Sequence, residues 1–158
     1  MTRSAVVIVS STRAANGTYP DRTGPLVVAW FRDHGFESAD PIVVADGPQV
    51  VVQLRNAIAS DASLVVTTGG TGIGVGDVTA DATAEVLDRQ LPGFAEELRR
   101  RGTAVTPFAV LSRGVAGVAG QTFIVNLPGS VDGVRDGLQL LGEVVDHVLD
   151  QLAGGSHD

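Results

Sequence analysis

The chain of 158 residues carries a formal net charge of −7 and contains no cysteine. The lack of cysteine excludes a disulfide framework and a thiolate metal site, and the negative charge argues against general nucleic-acid binding, which depends on basic patches. With 44% hydrophobic and 18% charged residues the composition is globular, and the length predicts one domain over residues 1–158. No apolar run approaches the roughly 20 residues that span a membrane, and the first four residues are too short for a signal peptide, so we expect a cytoplasmic protein without a membrane contact.

Apolar runs predict five strands with helices between them. The predicted strands are Ala5–Ser10, Ile42–Val44, Leu64–Thr68, 108–111 and Thr122–Leu127. Helices are predicted over 25–34, from Pro48 onwards, and over 80–87, 95–101 and Val131–Leu152, with a break at 91–94 and loops at 11–21 and 114–120. Strands that alternate with helices predict an α/β fold, a single-domain, three-layer, doubly wound and mostly parallel sheet with helices on both faces.

A loop rich in glycine follows the third predicted strand. It contains Thr68, Gly69, Gly70, Thr71 and Gly72, and Asp77 precedes the next helix. Such a loop can bring backbone N–H groups up to a phosphate, with a carboxylate beside it. It is neither a Walker A loop, because no lysine follows, nor a dinucleotide fingerprint, because the G-x-G-x-x-G spacing is missing. The residues alone also allow a tight turn without a ligand, in which Asp77 only caps the next helix.

Polar side chains follow the ends of several predicted strands. In a doubly wound sheet ligands bind beyond the carboxyl ends of the strands, so we expect one site to include Asp21, Asp46, Asp77, Arg113, Asn126 and Ser130. The loop 128–130 also opens the last helix, and a helix N-terminus is a natural anion site. For Asp21 the residues leave open whether it supports the site or only caps the helix that follows it.

Six segments in this order resemble the molybdopterin adenylyltransferases of molybdenum cofactor synthesis, of the MogA/MoaB type and related to the G domain of gephyrin. The segments are Ser10 with 21–25, 45–47, 67–72 with 76–79, 91–94, 111–113 and 126–130, and the resemblance spans about residues 5–152. It implies transfer of AMP from Mg-ATP to the terminal phosphate of molybdopterin, with release of pyrophosphate. Gly76 and Ala80 depart from the family pattern, which often has a basic residue and a proline at these positions.

The resemblance also implies a role for each candidate residue. Asp46 and Asp77 correspond to the two acidic catalytic positions and would hold Mg²⁺, which prefers oxygen ligands. Nucleotide binding is implied for the glycine loop, with Thr68, Gly69, Gly70, Thr71 and Gly72. Molybdopterin binding is implied for Asp21, Ser112, Arg113, Asn126, Pro128, Gly129 and Ser130. The implied partners are ATP, molybdopterin, further copies of the chain in a homotrimer, and other proteins of cofactor synthesis.

Two other functions stay open at this point. The first is a non-catalytic molybdopterin-binding carrier or assembly protein of the same pathway; Gly76 favours it by removing a positive charge, whereas the presence of both Asp46 and Asp77 argues against it. The second is a nucleotide-pyrophosphate hydrolase, which would need more metal-binding carboxylates than the two or three that the sequence offers.

Overall fold

The computed structural model describes residues 2–155, in which a six-stranded sheet lies between two layers of helices. The strands are β1 (Ala5–Ser10), β2 (Ile42–Val44), β3 (Leu64–Thr68), β4 (Arg89–Gln90), β5 (Ala116–Ala119) and β6 (Thr122–Leu127). The helices are α1 (Thr12–Ala15), α2 (Thr23–Asp33), α3 (Gln49–Ala59), α4 (Thr79–Val86), α5 (Pro92–Thr103) and α6 (Val131–Leu152), with a 3₁₀ helix at Pro107–Leu111.

The sheet has the strand order β2-β1-β3-β6-β5-β4 and is parallel over its first four strands. Strand β5 runs antiparallel to both of its neighbours. Side chains alternate between the two faces, as on any strand: Val7 and Val9 join the apolar cluster with α2, α5 and α6, whereas Ile8 joins the one with α3 and α4. The predicted α/β class is therefore confirmed.

Two predictions for the segment before β6 are wrong. Residues 108–111, predicted as a strand, lie in the 3₁₀ helix, which Pro107 opens and which Thr106 caps by accepting a hydrogen bond from the Phe108 amide over 3.3 Å. Proline is tolerated at the start of a helical turn, where its missing N–H is not needed. Residues 114–120, predicted as a loop, contain β5. Its glycine serves the pairing with β4, because a Cβ on Gly117 would lie only 2.2 Å from the carbonyl oxygen of Arg89.

Two further segments form helices where the sequence predicts a loop and a helix break. The predicted loop 11–21 begins with the short helix α1, where the Ser11 hydroxyl accepts a hydrogen bond from the Ala14 amide over 3.2 Å. The predicted break at 91–94 is instead the start of α5, because Pro92 is well suited to a first helical turn. Within residues 2–155 no helix combines the length and hydropathy that a membrane span requires.

One edge of the sheet collects the loops that carry the predicted site. The loops after β1, β2, β3 and β6 meet there because these four strands run parallel. Ser112 and Arg113 precede β5, which runs in the opposite direction, so they lie at the same edge. The topology thus brings together all the loops in which the sequence predicts site residues.

Candidate active site

Asp46 follows β2 and is held by two hydroxyl groups, one at the end of β1 and one at the start of α1. The Ser10 hydroxyl donates to Asp46 Oδ1 over 2.5 Å, and the Thr12 hydroxyl donates to Oδ2 over 3.2 Å. The Asp46 amide donates back to Thr12 Oγ1 over 3.1 Å. A carboxylate has about four acceptor positions, so this half-buried side chain keeps capacity for a cation. Neither hydroxyl residue is among the predicted site residues, although the position of Ser10 at the polar end of an apolar strand is a usable signal.

Asp77 closes the glycine loop and directs its carboxylate back into it. Its Oδ2 accepts a hydrogen bond from the Gly74 amide over 2.9 Å, and its own amide donates to the Gly74 carbonyl over 3.0 Å. A Cβ on Gly72 would lie 2.8 Å from Asp77 Oδ2, so a larger residue there would displace the carboxylate. The hydrogen bond of the carboxylate goes to the loop and not to the amides that open α4. The geometry therefore does not support the alternative that Asp77 is only a helix cap.

Gly76 lies close to both acidic residues. It directly precedes Asp77, and a Cβ built on it would lie 3.5 Å from the Cβ of Asp46. Protein sites for Mg²⁺ commonly use one or two carboxylates together with phosphate oxygens and water, and two half-buried carboxylates fit that need. Within residues 2–155 no cluster of three or more acidic, histidine or cysteine side chains could hold a metal alone. The donor set thus suits a magnesium ion that a phosphate ligand helps to bind.

The start of the glycine loop is a tight left-handed turn. Gly69 and Gly70 have φ angles of +83° and +69°, a region that favours glycine. A Cβ on Gly69 would lie 2.3 Å from the Ser10 carbonyl oxygen, and one on Gly70 would lie 2.1 Å from the hydroxyl oxygen of Thr79. That hydroxyl is buried and has no hydrogen-bond partner among the described residues. The turn therefore brings the loop backbone directly onto the end of β1 and the start of α4.

The glycine loop contains three successive amides that have no partner among the described residues of the protein. The Gly69 amide is used, because it donates to the Leu127 carbonyl over 3.2 Å. The amides of Gly70, Thr71 and Gly72 donate no hydrogen bond within the part of the chain that the structure describes. Successive unpaired amides in a turn form a concavity that suits an anion. This arrangement fits the predicted contact of these residues with phosphate, which stays a prediction.

Arg113 braces the glycine loop from the side of β5. Its Nε donates to the Gly72 carbonyl over 2.8 Å, and its Nη2 donates to the Asp77 carbonyl over 2.6 Å. Its Nη1 lies 3.0 and 3.1 Å from the two carboxylate oxygens of Asp81, and its backbone amide donates to the Thr71 carbonyl over 2.8 Å. The predicted contact between Arg113 and molybdopterin is untested; the observed contacts make Arg113 a residue that positions the loop.

Asn126 lies within β6, and neighbouring residues occupy its side chain. Its Nδ2 donates to the hydroxyl groups of Thr67 and Thr83, both over 2.9 Å, and its Oδ1 accepts a hydrogen bond from the Val115 amide over 3.1 Å. The residue is 3% exposed. Asn126 thus links β3, α4 and the segment before β5 directly below the site, and a ligand contact is untested.

Two predicted site residues cap helices. Asp21 Oδ1 accepts hydrogen bonds from the amides of Thr23 and Gly24 over 3.2 and 3.0 Å, at the start of α2. This is the capping role that the sequence leaves open for Asp21. The Ser130 hydroxyl accepts a hydrogen bond from the Gly133 amide over 3.1 Å and caps α6 in the same way.

Two cavities open at this edge of the sheet, and the glycine loop contributes to both. The first, the Arg13 cavity, has a volume of about 330 Å³ and includes Arg13, Tyr19, Asp21, Arg22, Thr68 and Gly69. The second, the Phe108 cavity, has a volume of about 520 Å³ and is mostly apolar. Predicted site residues on its wall are Thr71, Gly72, Ser112, Asn126, Pro128 and Ser130. One cavity therefore offers cationic side chains and the other offers apolar walls.

Comparison with known proteins identifies relatives over nearly the whole chain. The model of a family described as "probable molybdopterin binding domain" matches residues 5–147. A "molybdopterin adenylyltransferase" from Pyrococcus furiosus is 38% identical over 90% of this chain and 87% of its own. A solved structure of a "molybdopterin biosynthesis Mog protein" from Mycobacterium ulcerans is 51% identical, with a TM-score of 0.92 over 96% of this chain and 99% of that one.

Some relatives are longer than this chain. A "molybdenum cofactor biosynthesis bifunctional protein" from Synechococcus elongatus is 36% identical over 97% of this chain but only 48% of its own length. The chain thus spans about half the length of the bifunctional relatives that it matches.

Proposed function

Since the chain belongs to the family of "probable molybdopterin binding domains", we propose that it acts as a molybdopterin adenylyltransferase in molybdenum cofactor synthesis. The reaction transfers AMP from ATP to the terminal phosphate of molybdopterin and releases pyrophosphate. The curated relatives that carry this activity in their names support the proposal. The observation that carries it is the proximity of Gly76, which directly precedes Asp77, to Asp46, at the edge of the sheet where two cavities of different chemical character open.

The proposed chemistry is an in-line displacement at phosphorus. A phosphate oxygen of molybdopterin forms a bond to the α-phosphorus of ATP, while the bond to the bridging oxygen breaks and pyrophosphate leaves with that electron pair. The attacking phosphate is already anionic at neutral pH, so no general base is required, and the protein mainly has to position two polyanions. A bound Mg²⁺ would neutralise charge that develops on the phosphate oxygens.

We assign the residues of this chain to that task as follows. Asp46 and Asp77 hold the magnesium ion, and Ser10 and Thr12 orient Asp46 through their hydroxyl groups. The free amides of Gly70, Thr71 and Gly72 bind phosphate oxygens, next to Thr68 and Gly69. Molybdopterin occupies the part of the site formed by Ser112 and the 126–130 loop, where the apolar walls of the Phe108 cavity suit a flat ring system. Arg113 keeps the loop between the two ligands in place, and Asp21 supports the site from the start of α2.

Substitution of the acidic residues tests the enzymatic function. Asp77→Asn and Asp46→Asn keep the size of the side chain and remove its charge, so pyrophosphate release from ATP and molybdopterin should fall about 10²–10³-fold. Molybdopterin binding should stay within a few-fold of the wild type, and excess EDTA should stop the wild-type reaction. Asp61→Asn is the matched control, because Asp61 precedes β3 at the opposite edge of the sheet and its φ of +58° suits asparagine.

The same experiment distinguishes the enzyme from a carrier. If the wild type and Asp77→Asn release pyrophosphate at the same background rate while both bind molybdopterin, the protein is a carrier and the enzymatic function is wrong. Undiminished adenylylation in excess EDTA would exclude the metal role of Asp46 and Asp77. Hydrolysis of ATP without molybdopterin would favour the hydrolase instead.

We further propose that the protein forms a homotrimer. Apolar side chains are strongly exposed around the 3₁₀ helix, including Val105, Phe108, Val110 and Leu111, with Phe108 75% exposed. All of these except Val110 also line the Phe108 cavity, so a subunit packed here would border the proposed molybdopterin site. Contiguous exposed apolar surface commonly marks an interface. Light scattering should give about three times the 16.2 kDa of one chain, and a stable monomer at micromolar concentration would contradict the trimer.

The additional length of the bifunctional relatives supports contact with another protein of the pathway. We expect the reaction to take place in the cytoplasm.

A further inference from the structure

Two arginines of the Arg13 cavity have no anionic partner in the protein. Arg13 and Arg22 line this cavity, and within residues 2–155 neither side chain forms an ion pair. The other arginines of the site are occupied, because Arg113 binds Asp81 and two loop carbonyls, while Arg99 donates to the carbonyls of Ser112 and Gly114 over 3.2 and 3.0 Å. Arg13 and Arg22 are therefore the arginines of the Arg13 cavity, and no carboxylate of the described residues pairs with either of them.

The acidic residue of the same cavity does not neutralise them. The carboxylate of Asp21 accepts hydrogen bonds from the first two amides of α2, where the positive end of the helix dipole compensates its charge. Arg22 follows Asp21 directly in the chain but is not bonded to it. Both arginines are exposed and line the cavity, so they are accessible to an anion.

Arg13 is oriented by an aromatic ring. Its guanidinium carbon lies 4.6 Å from the centre of the Tyr19 ring, which is a cation–π contact. The Tyr19 amide also donates to the Arg13 carbonyl over 3.1 Å, so the loop backbone links the two residues. A charged side chain that is held over a ring loses less conformational entropy when it binds a ligand. Arg13 is therefore preorganised for binding, unlike a freely mobile surface charge.

From this arrangement we propose that Arg13 and Arg22 bind the phosphate chain of the nucleotide, with Tyr19 as a positioning residue for Arg13. A polyphosphate brings several negative charges into a protein of net charge −7, next to Asp46 and Asp77, and needs cationic contacts to offset them. Ser10 links the cavity to Asp46, because it lines the cavity and donates a hydrogen bond to the Asp46 carboxylate. The assignment to ATP rests on the proposed function, whereas the binding of a polyphosphate does not require transfer.

The test measures binding to the full chain by calorimetry with ATP, inorganic tripolyphosphate and inorganic phosphate, in the presence of Mg²⁺. Arg13→Gln and Arg22→Gln should each weaken the binding of ATP and tripolyphosphate about three- to tenfold, the range expected for exposed charge-assisted contacts. The loss should shrink at high salt, which screens exposed charges. Arg32→Gln is the matched control, because Arg32 lies in the last turn of α2, away from the cavity, and should bind as the wild type does.

A second pair of variants tests the positioning role of Tyr19. Tyr19→Leu removes the ring and should weaken binding of tripolyphosphate about two- to fivefold, as expected for an exposed cation–π contact. Tyr19→Phe keeps the ring and should retain the wild-type affinity. Equal affinities of both variants would overturn the role of Tyr19.

Three outcomes overturn the main proposal. Arg13→Gln and Arg22→Gln could bind tripolyphosphate as tightly as the wild type, or Arg32→Gln could lose as much affinity as they do, which would indicate a diffuse effect of charge. Loss confined to inorganic phosphate would assign the cavity to a phosphate monoester instead of a polyphosphate. Failure of the proposed function has a different signature, namely arginine-dependent binding of ATP without release of pyrophosphate when molybdopterin is added.

Discussion

The Ser10 hydroxyl donates a hydrogen bond of 2.5 Å to Oδ1 of Asp46 and so ties the end of β1 to the acid that follows β2. Ser10 is 5% exposed and ends a strand that pairs on both sides. A central strand flanked by two neighbours is a rigid support. One proposed metal ligand is therefore oriented by the sheet itself, although Asp46 lies in a loop.

Ser10→Ala should reduce pyrophosphate release about tenfold and leave the protein folded. The substitution leaves the Asp46 carboxylate with Thr12 alone, and a hydrogen bond to a charged group contributes about 1.5 kcal/mol, which corresponds to about one factor of ten in rate. The rate of pyrophosphate release at saturating ATP measures the effect. Ser60→Ala, which removes a hydroxyl at the far end of α3, is the control. Equal rates for Ser10→Ala and the wild type would show that Asp46 needs no support from β1.

The location of the site could be predicted from the sequence, because it depends mainly on the order and direction of the strands. Apolar runs that end at Ser10, Val44, Thr68 and Leu127 predict parallel strands, and the carboxyl ends of parallel strands meet at one edge. Asp46 and Asp77 come together for this reason. Ser112 and Arg113 reach the same edge for a reason that the sequence does not reveal: β5 is made of small residues and runs antiparallel to β6.

The contacts of individual side chains could not be predicted. Arg113 and Asn126 are polar residues near strand ends, and from the sequence alone such residues are predicted to bind a ligand. The structure instead shows their hydrogen bonds directed to Gly72, Thr83 and other parts of the protein. Such pairing depends on side-chain directions across elements far apart in the chain, and a linear pattern does not contain them.

Arg113→Lys should resemble Arg113→Ala more than the wild type. Lysine keeps the charge, but its single ammonium group cannot reach the Gly72 carbonyl, the Asp77 carbonyl and the Asp81 carboxylate together, as the planar guanidinium does. Loss of these contacts should lower the free energy of unfolding by about 1–3 kcal/mol and slow pyrophosphate release. Urea unfolding and the release assay measure the two effects.

The control for this substitution is Arg55→Lys, which affects an exposed ion pair with Glu85 at 3.5 Å. If the charge of Arg113 matters because it contacts molybdopterin, Arg113→Lys would instead keep pterin binding within a few-fold while Arg113→Ala loses it.

The acid stability of the protein should depend on Glu97. A hydrogen bond from Arg100, with support from Arg101, lowers the pKa of Glu97 from 4.5 to about 2. A carboxyl group whose pKa is lower in the folded state stabilises the protein above pH 4.5, and this contribution is lost as the pH falls towards 2. The unfolding free energy of the wild type should therefore fall more steeply over this window than that of Glu97→Gln. Urea titrations at several pH values check this, with Glu96→Gln as the control; parallel curves for wild type and Glu97→Gln would contradict the role of Glu97.

Gly69→Ala and Gly17→Ala separate the cost of a left-handed backbone from the cost of close contact. The two glycines have almost the same φ, +83° and +82°, so alanine meets the same conformational strain, of about 1–2 kcal/mol, at both. A Cβ on Gly17 meets nothing within 4 Å, whereas one on Gly69 would lie 2.3 Å from the Ser10 carbonyl oxygen. Because that atom belongs to the backbone of a central strand, it cannot move aside at low cost.

Gly69→Ala should therefore lower the free energy of unfolding in urea by clearly more than Gly17→Ala does. It should also slow pyrophosphate release, since displacement of Ser10 disturbs its hydrogen bond to Asp46, while Gly17→Ala should react at the wild-type rate. Equal destabilisation by the two substitutions would mean that the contact between the glycine loop and β1 can relax, and that Asp46 and the loop are positioned independently.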